Sequence, residues 1–288
     1  MSELKLITFE SSYEPVVKES KVVRVYVFEP EKVEHNLIFV HGIGNGNIPY
    51  LLWFGERFKR YNIKTWFLVL PYHEKRAPTG WNGGEPFYHP SPFYCVKRFD
   101  EAVQDVLDLV DVVRKDNGGP IAMMGFSFGG MITILSLARE KRIEKGIVCC
   151  SGGDWRWINW YSPYTEKLRM LYKEKSNEFG CRSEKDCIRN RKDSFEVVAS
   201  FQKLEDIREK SPVACYFYDP LSYAPFVDQK ILFFWALFDR VIPYRSYASL
   251  HKHLKNKKTV FLPTGHKGSY FFRRYIVRRV VRFLKYDK

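Results

Sequence analysis

Residues 119–131 read Gly-Pro-Ile-Ala-Met-Met-Gly-Phe-Ser-Phe-Gly-Gly-Met, and this stretch restricts the fold more than any other in the 288-residue chain. The apolar run at 121–124 predicts a buried strand, and residues 131–139 resume with helical spacing. Between them lies a Gly-x-Ser-x-Gly turn in strand–turn–helix context, the arrangement known as a nucleophile elbow. Its glycines have a steric purpose. So sharp a turn holds the serine in a strained backbone conformation, and a Cβ at Gly125 or Gly129 would crowd its neighbours. Ser127 is therefore expected above the sheet with its Oγ exposed at the start of a helix. The partial positive charge and unbonded N–H groups there suit a forming oxyanion, and the N–H of Phe128 is one such donor.

Strands and helices alternate around this centre. Residues 4–9 and 22–28 suit a leading antiparallel pair. Further strands are predicted at 36–40, 64–70, 145–150, 230–237 and 258–262, with helices at 49–61, 100–115 and 244–254 and one more at the C-terminus. This alternation predicts an α/β fold: a mostly parallel, doubly wound sheet with helices on both faces. Residues 154–228 break the rhythm. They are aromatic at the start, charged in the middle and helix-rich near 195–210, and a segment of about 75 residues far exceeds one crossover helix. The expectation is a helical cap at 154–228, laid over the carboxyl edge of a core made of 1–153 and 229–288.

Three chemically matched residues then fall just past the ends of predicted parallel strands: Ser127, Asp239 and His266. Such ends share one edge of the sheet, so the side chains can meet although they are far apart in sequence. A serine hydroxyl needs an imidazole to take its proton as it attacks, and the imidazole needs a carboxylate to fix its tautomer. Of the seven histidines, four precede the elbow strand and two fall inside a predicted helix, leaving His266. Asp239 has a rival in Asp154, which follows the strand before the cap. His41-Gly42-Ile43-Gly44 ends the strand at 36–40, where glycines allow the backbone to aim an N–H at substrate. Ile43 is the assigned second oxyanion donor, with Gly44 as the alternative. The long loop after residue 70 places His73 and Arg76 near a ligand, or else in a network of its own. Trp155, Trp157 and Trp160 open the cap, either as the wall of an apolar acyl pocket or as its anchor.

The order Ser–Asp–His, the elbow, the His-Gly segment and the acid turn Phe238-Asp239-Arg240-Val241-Ile242-Pro243 together resemble the α/β-hydrolase superfamily, over about residues 36–288 apart from the cap. Within it, Leu70-Pro71-Tyr72-His73 and Asp219-Pro220-Leu221-Ser222-Tyr223-Ala224 resemble the dienelactone hydrolase and acetyl xylan esterase branch. The oxyanion segment departs from the triple-glycine form of hormone-sensitive-lipase-like esterases. The resemblance implies an α/β-hydrolase fold and a serine esterase that forms an acyl-enzyme and needs no cofactor or metal. An acyl-peptide hydrolase, a thioesterase and a non-catalytic binding protein on the same fold are the alternatives.

The remaining bulk properties set limits. Hydrophobic content of 45% and aromatic content of 17% permit a large core and exclude a disordered chain. No apolar run reaches the ~18 residues of a membrane span, and the N-terminus lacks the long apolar stretch of a signal peptide. A cytoplasmic protein acting on a small-molecule ester is expected. The net charge is +14, and the last 24 residues hold eight Lys/Arg against one Asp, half of that excess. Nucleic acid, anionic membrane or an acidic substrate would suit such a charge, but a solvated basic surface suffices, so no nucleic acid partner is expected. Six scattered cysteines suggest no metal site, and Cys181 with Cys187 is the one pair placed for a local disulfide.

Overall fold

In the computed structural model, which describes residues 4–174 and 181–287, the apolar runs become one eight-stranded sheet. The strands are β1 (Lys5–Glu10), β2 (Val22–Phe28), β3 (His35–Val40), β4 (Ile63–Val69), β5 (Ile121–Phe126), β6 (Ile143–Cys149), β7 (Lys230–Ala236) and β8 (Lys257–Leu262). Their spatial order is β1-β2-β4-β3-β5-β6-β7-β8. β2 pairs antiparallel with both β1 and β4, whereas every pair from β4 to β8 is parallel.

The central strands are mainly apolar because helices cover both of their faces. On β3, Leu37 and Phe39 face one layer and Ile38 and Val40 the other, as a period of two requires. The first layer is α1 (Ile48–Lys59) with the C-terminal helix, and the second is α2 (Pro92–Asp116) and α3 (Phe128–Arg139). α2 starts well before the predicted residue 100. Ser91-Pro92 is a helix-start signal, and Cys95, Val96 and Phe99 extend the buried stripe backwards.

Between β6 and β7 the chain forms α4 (Trp155–Tyr161), α5 (Glu166–Glu174), α6 (Glu184–Asn190), α7 (Ser194–Ala199), α8 (Asp206–Glu209) and α9 (Pro220–Tyr223). Residues 175–180 of the expected cap lie outside the described residues. The helix-rich stretch expected near 195–210 holds α7 and α8, separated by a turn in which the Asp206 carboxylate accepts the N–H groups of Gln202 and Lys203. Buried charges tie the segment together. Asp154 pairs with Arg156 at 2.7 Å, and Arg191 pairs with Asp219 at 2.6 Å. Asp219 also accepts the N–H groups of Asp154 and Trp155, which fixes the start of α4 and hence the position of the Trp155 ring. The chain closes with α10 (Tyr244–His253) and α11 (Arg273–Tyr286).

Candidate active site

The turn between β5 and α3 is as tight as its glycines suggest. A Cβ on Gly125 would lie 2.1 Å from the Gly129 carbonyl oxygen, and one on Gly129 would lie 2.2 Å from that of Val40. Ser127 takes the strain itself, with φ 52° and ψ −117°. Its N–H donates to the Cys149 carbonyl at 2.8 Å, pinning the turn to the next strand.

Asp239 follows β7 and His266 follows β8, and the parallel sheet brings both to Ser127. Ser127 Oγ lies 2.9 Å from His266 Nε2, and His266 Nδ1 lies 2.7 Å from Asp239 Oδ2. With Nδ1–H donating to the carboxylate, Nε2 is left to accept the serine proton. Asp239 is itself held firmly. Its Oδ1 accepts the N–H groups of Val241 and Ile242, at 2.8 and 2.9 Å, and its Oδ2 also accepts the Tyr247 hydroxyl at 2.7 Å. Tyr247 carried no signal in the sequence: it is one tyrosine among 18, on an ordinary amphipathic helix. The rival Asp154 is fully buried and its carboxylate is taken up by Arg156 and Arg191. Cys150 also borders the site, but burial pushes its thiol up to about 12, so it is not a nucleophile near neutral pH.

The turn at His41–Gly44 is fixed bond by bond. Leu70 donates its N–H to His41 Nε2 at 3.0 Å, so the His41 proton sits on Nδ1 and is donated to the Gly42 carbonyl at 2.6 Å. A trans peptide points its C=O and N–H in opposite directions. Holding the Gly42 carbonyl therefore turns the Ile43 N–H the other way. The Gly44 N–H is spent on His73 Nε2 at 3.1 Å, which removes it as the alternative donor. On the other side, Phe128 is the first residue of α3 and has no acceptor for its N–H within that helix. Ile43 and Phe128 both line the cavity above Ser127.

Two expected substrate contacts are corrected. His73 is fully buried and its ring nitrogens are engaged by the Gly44 N–H and the Pro71 carbonyl, so it supports the His41–Gly44 turn from behind. Burial holds its pKa down at about 4, consistent with a neutral ring. Arg76 is likewise inside, paired with Asp105 at 2.7 Å. Trp157 does not line the cavity; it is sandwiched between the guanidinium groups of Arg156 and Arg245, 4.6 and 4.7 Å from the ring centre. Helix phase explains the difference. Trp155 and Ile158 are three apart and share the cavity face of α4, whereas Trp157 is rotated by about 200° from Trp155. Trp160 faces a second, smaller cavity.

The main cavity has a volume of about 640 Å³, within the usual range for a small-molecule site. Tyr88, Met131 and Ile158 join its wall, none of them recognisable from the sequence. Among the described residues no cluster of His, Cys, Asp and Glu is placed to hold a metal ion, and no helix is long and apolar enough to cross a membrane.

Comparison with known proteins bears on the family and the fold. A model described as "Alpha/beta hydrolase family" matches residues 37–277. No curated protein matches the chain. Among solved structures, the alpha/beta hydrolase GrgF from Penicillium sp. sh18 is 16% identical with a TM-score of 0.62, covering 98% of each chain. A cold-adapted esterase from an Arctic intertidal metagenomic library is 14% identical with a TM-score of 0.59, covering 96% of this chain and 92% of that one. The acylaminoacyl peptidase of Pyrococcus horikoshii is 14% identical with a TM-score of 0.64. There the match covers 98% of this chain but only 41% of the peptidase. At such identities these likenesses concern the fold.

Proposed function

Because the chain belongs to the alpha/beta hydrolase family, we propose that it is a serine hydrolase of carboxylic esters, with Ser127 as nucleophile, His266 as general acid–base and Asp239 as its partner. The observation that carries this is the unbroken relay from Ser127 Oγ through His266 to Asp239, at 2.9 and 2.7 Å. As Ser127 Oγ bonds to the ester carbonyl carbon, its proton passes to His266 Nε2. The tetrahedral oxyanion lies against the N–H groups of Phe128 and Ile43. His266 returns the proton to the leaving oxygen as the C–O bond breaks, giving an alcohol and an acyl-enzyme. Water then repeats the sequence: His266 takes its proton, its oxygen attacks the acyl carbon, and the proton is returned to Ser127 as the carboxylic acid departs. Residues 154–228 serve as the cap over this site, with 1–153 and 229–288 as the core, since Trp155, Ile158, Ser162, Tyr164 and Thr165 wall the cavity.

The test is a fluorophosphonate probe combined with turnover of p-nitrophenyl acetate. Ser127 should be the residue labelled, and Ser127→Ala should lose activity by about 10⁴-fold or more while keeping its fold. An alanine variant with more than about a tenth of the wild-type rate would remove Ser127 from the mechanism. N-Acetylalanine p-nitroanilide, run alongside, separates an esterase from an acyl-peptide hydrolase on the same three residues.

A further inference from the structure

Resting on the esterase reading above, we propose that the cavity selects substrates whose acyl part is uncharged and mainly apolar, and rejects those carrying a free ammonium or carboxylate group. Its wall beside the nucleophile is formed by Phe128, Met131, Trp155 and Ile158. This wall has little freedom to rearrange. The Phe128 ring packs on Phe87 and Phe99, at 4.6 and 5.1 Å between centres, and Phe99 meets Trp155 edge-on at 5.7 Å.

The side-chain amide and the serine and threonine hydroxyls of the lining are committed to the protein. Asn47 donates its amide to the Ile43 carbonyl. Ser162 Oγ accepts the Tyr164 N–H, Thr165 Oγ1 donates to main-chain carbonyls, and Ser269 Oγ donates to the His266 carbonyl. Tyr50, Tyr88, Tyr164 and Tyr270 add phenol hydroxyls, and burial pushes that of Tyr88 up to about 12. Among the described residues of the lining there is no Asp, Glu or Arg. Of the two basic groups, His266 is engaged with Ser127 and Asp239, and Lys267 is exposed to water.

An ammonium group entering this space would lose its water and meet no carboxylate, an uncompensated desolvation. The aromatic faces would attract it only modestly, and a chain of net charge +14 opposes its approach. A carboxylate would fare little better, because Lys267 offers a solvent-screened charge at most. Substrates with a free N-terminal amine are therefore excluded, whereas the same acyl group with its amine blocked is admitted.

Three p-nitrophenyl esters of nearly equal length test this on the full wild-type chain, with Ser127→Ala as the blank: heptanoate, 6-aminohexanoate and the monoester of adipic acid. The heptanoate should exceed each charged ester by about 100-fold in kcat/KM. If either charged ester comes within about threefold of the heptanoate while Ser127 is labelled normally by fluorophosphonate, the charge selection is overturned and the esterase reading stands. If Ser127 takes no label and none of the three is turned over above the blank, the esterase reading falls and the selection falls with it.

Discussion

Gly44 donates its backbone N–H to Nε2 of His73 over 3.1 Å, and this bond takes up the amide that is the alternative to Ile43 as the proposed oxyanion donor. The loop behind it is laced to the same turn. Asn45 donates its N–H to the Asn82 carbonyl at 2.7 Å and accepts the Glu74 N–H at 2.8 Å. Gly84 lies so close that a Cβ there would come within 2.8 Å of the Ile43 side chain.

His73→Ala should therefore act on kcat more than on KM. The Gly44 N–H would lose its acceptor, and an imprecisely aimed Ile43 N–H weakens binding of the oxyanion more than of the ground state. A fall of roughly 10- to 100-fold in kcat with KM within about twofold is expected from steady-state kinetics. His73→Gln, whose amide oxygen can accept the same bond, should recover part of it. The variants also carry a pH signature. Burial lowers the His73 pKa from 6.5 to about 4 in the folded chain. Stability from the neutral ring is therefore complete above about 6.5 and lost as pH falls towards 4. His41, lowered in the same direction by its burial, adds to this loss. The thermal midpoint should drop less steeply over this window in His73→Gln than in the wild type.

The two candidate acids should separate in opposite assays. Asp239→Asn presents an amide to His266 Nδ1 and favours the wrong tautomer, so kcat should fall by about 10³- to 10⁴-fold with little loss of fold. Asp154→Asn leaves the buried Arg156 and Arg191 short of negative charge. It should destabilise the protein by about 3 kcal/mol, read from urea unfolding, while the folded fraction keeps near-normal kcat. The reverse ranking in the kinetic assay would move the proposed acid to Asp154.

The sheet and the Ser127–His266–Asp239 constellation were legible because they rest on local rules. Continuous apolar runs mark parallel strands, and glycine spacing marks a turn in which a Cβ would collide with backbone. The preference for Ile43 over Gly44 as the proposed donor gains a support that the sequence did not contain, the distant acceptor His73, which takes up the Gly44 N–H. Trp155 and Trp157 looked alike in sequence, and only the phase of α4 separates them. Tyr88, Tyr247 and Ile158 reach the site through tertiary packing and carry no local pattern. Cys181 and Cys187, whose spacing is open to a disulfide, are both free thiols in the structure and lie close enough to hydrogen-bond to each other.

Glu101 supplies a stability prediction away from the site. It sits fully buried, accepts the Tyr72 hydroxyl, and has its pKa raised to about 7 by burial, which outweighs the lowering effects of the Tyr72 bond, Arg76 and Arg98. The folded chain thus binds more protons than the unfolded one between about 4.5 and 7. Stability must fall as pH rises through that window. Glu101→Gln keeps an acceptor for Tyr72 and removes the titration. It should leave stability near pH 4 little changed and raise it above pH 7, by up to ~3 kcal/mol in urea unfolding. A variant whose pH–stability curve parallels the wild type would show that Glu101 is not the titrating group.

The C-terminal helix α11 looks like a cationic membrane anchor by composition, but its apolar face is already used. Ile276, Val277, Val280, Phe283 and Leu284 are buried in the layer that covers Leu37, Phe39 and Phe67, while Arg278 and Arg282 face solvent. Lys145 adds a polar tie, donating to the Phe283 and Leu284 carbonyls at 3.1 Å and satisfying acceptors that a helix end leaves open. Phe283→Ala should therefore cost about 3–5 kcal/mol of stability, whereas Arg282→Ala should stay within about 0.5 kcal/mol. Deleting residues 275–288 should expose the sheet face beneath and yield insoluble or unfolded protein. A truncated chain that stayed soluble and fully active, yet lost affinity for vesicles containing anionic lipid, would show that α11 serves a membrane surface and not the core.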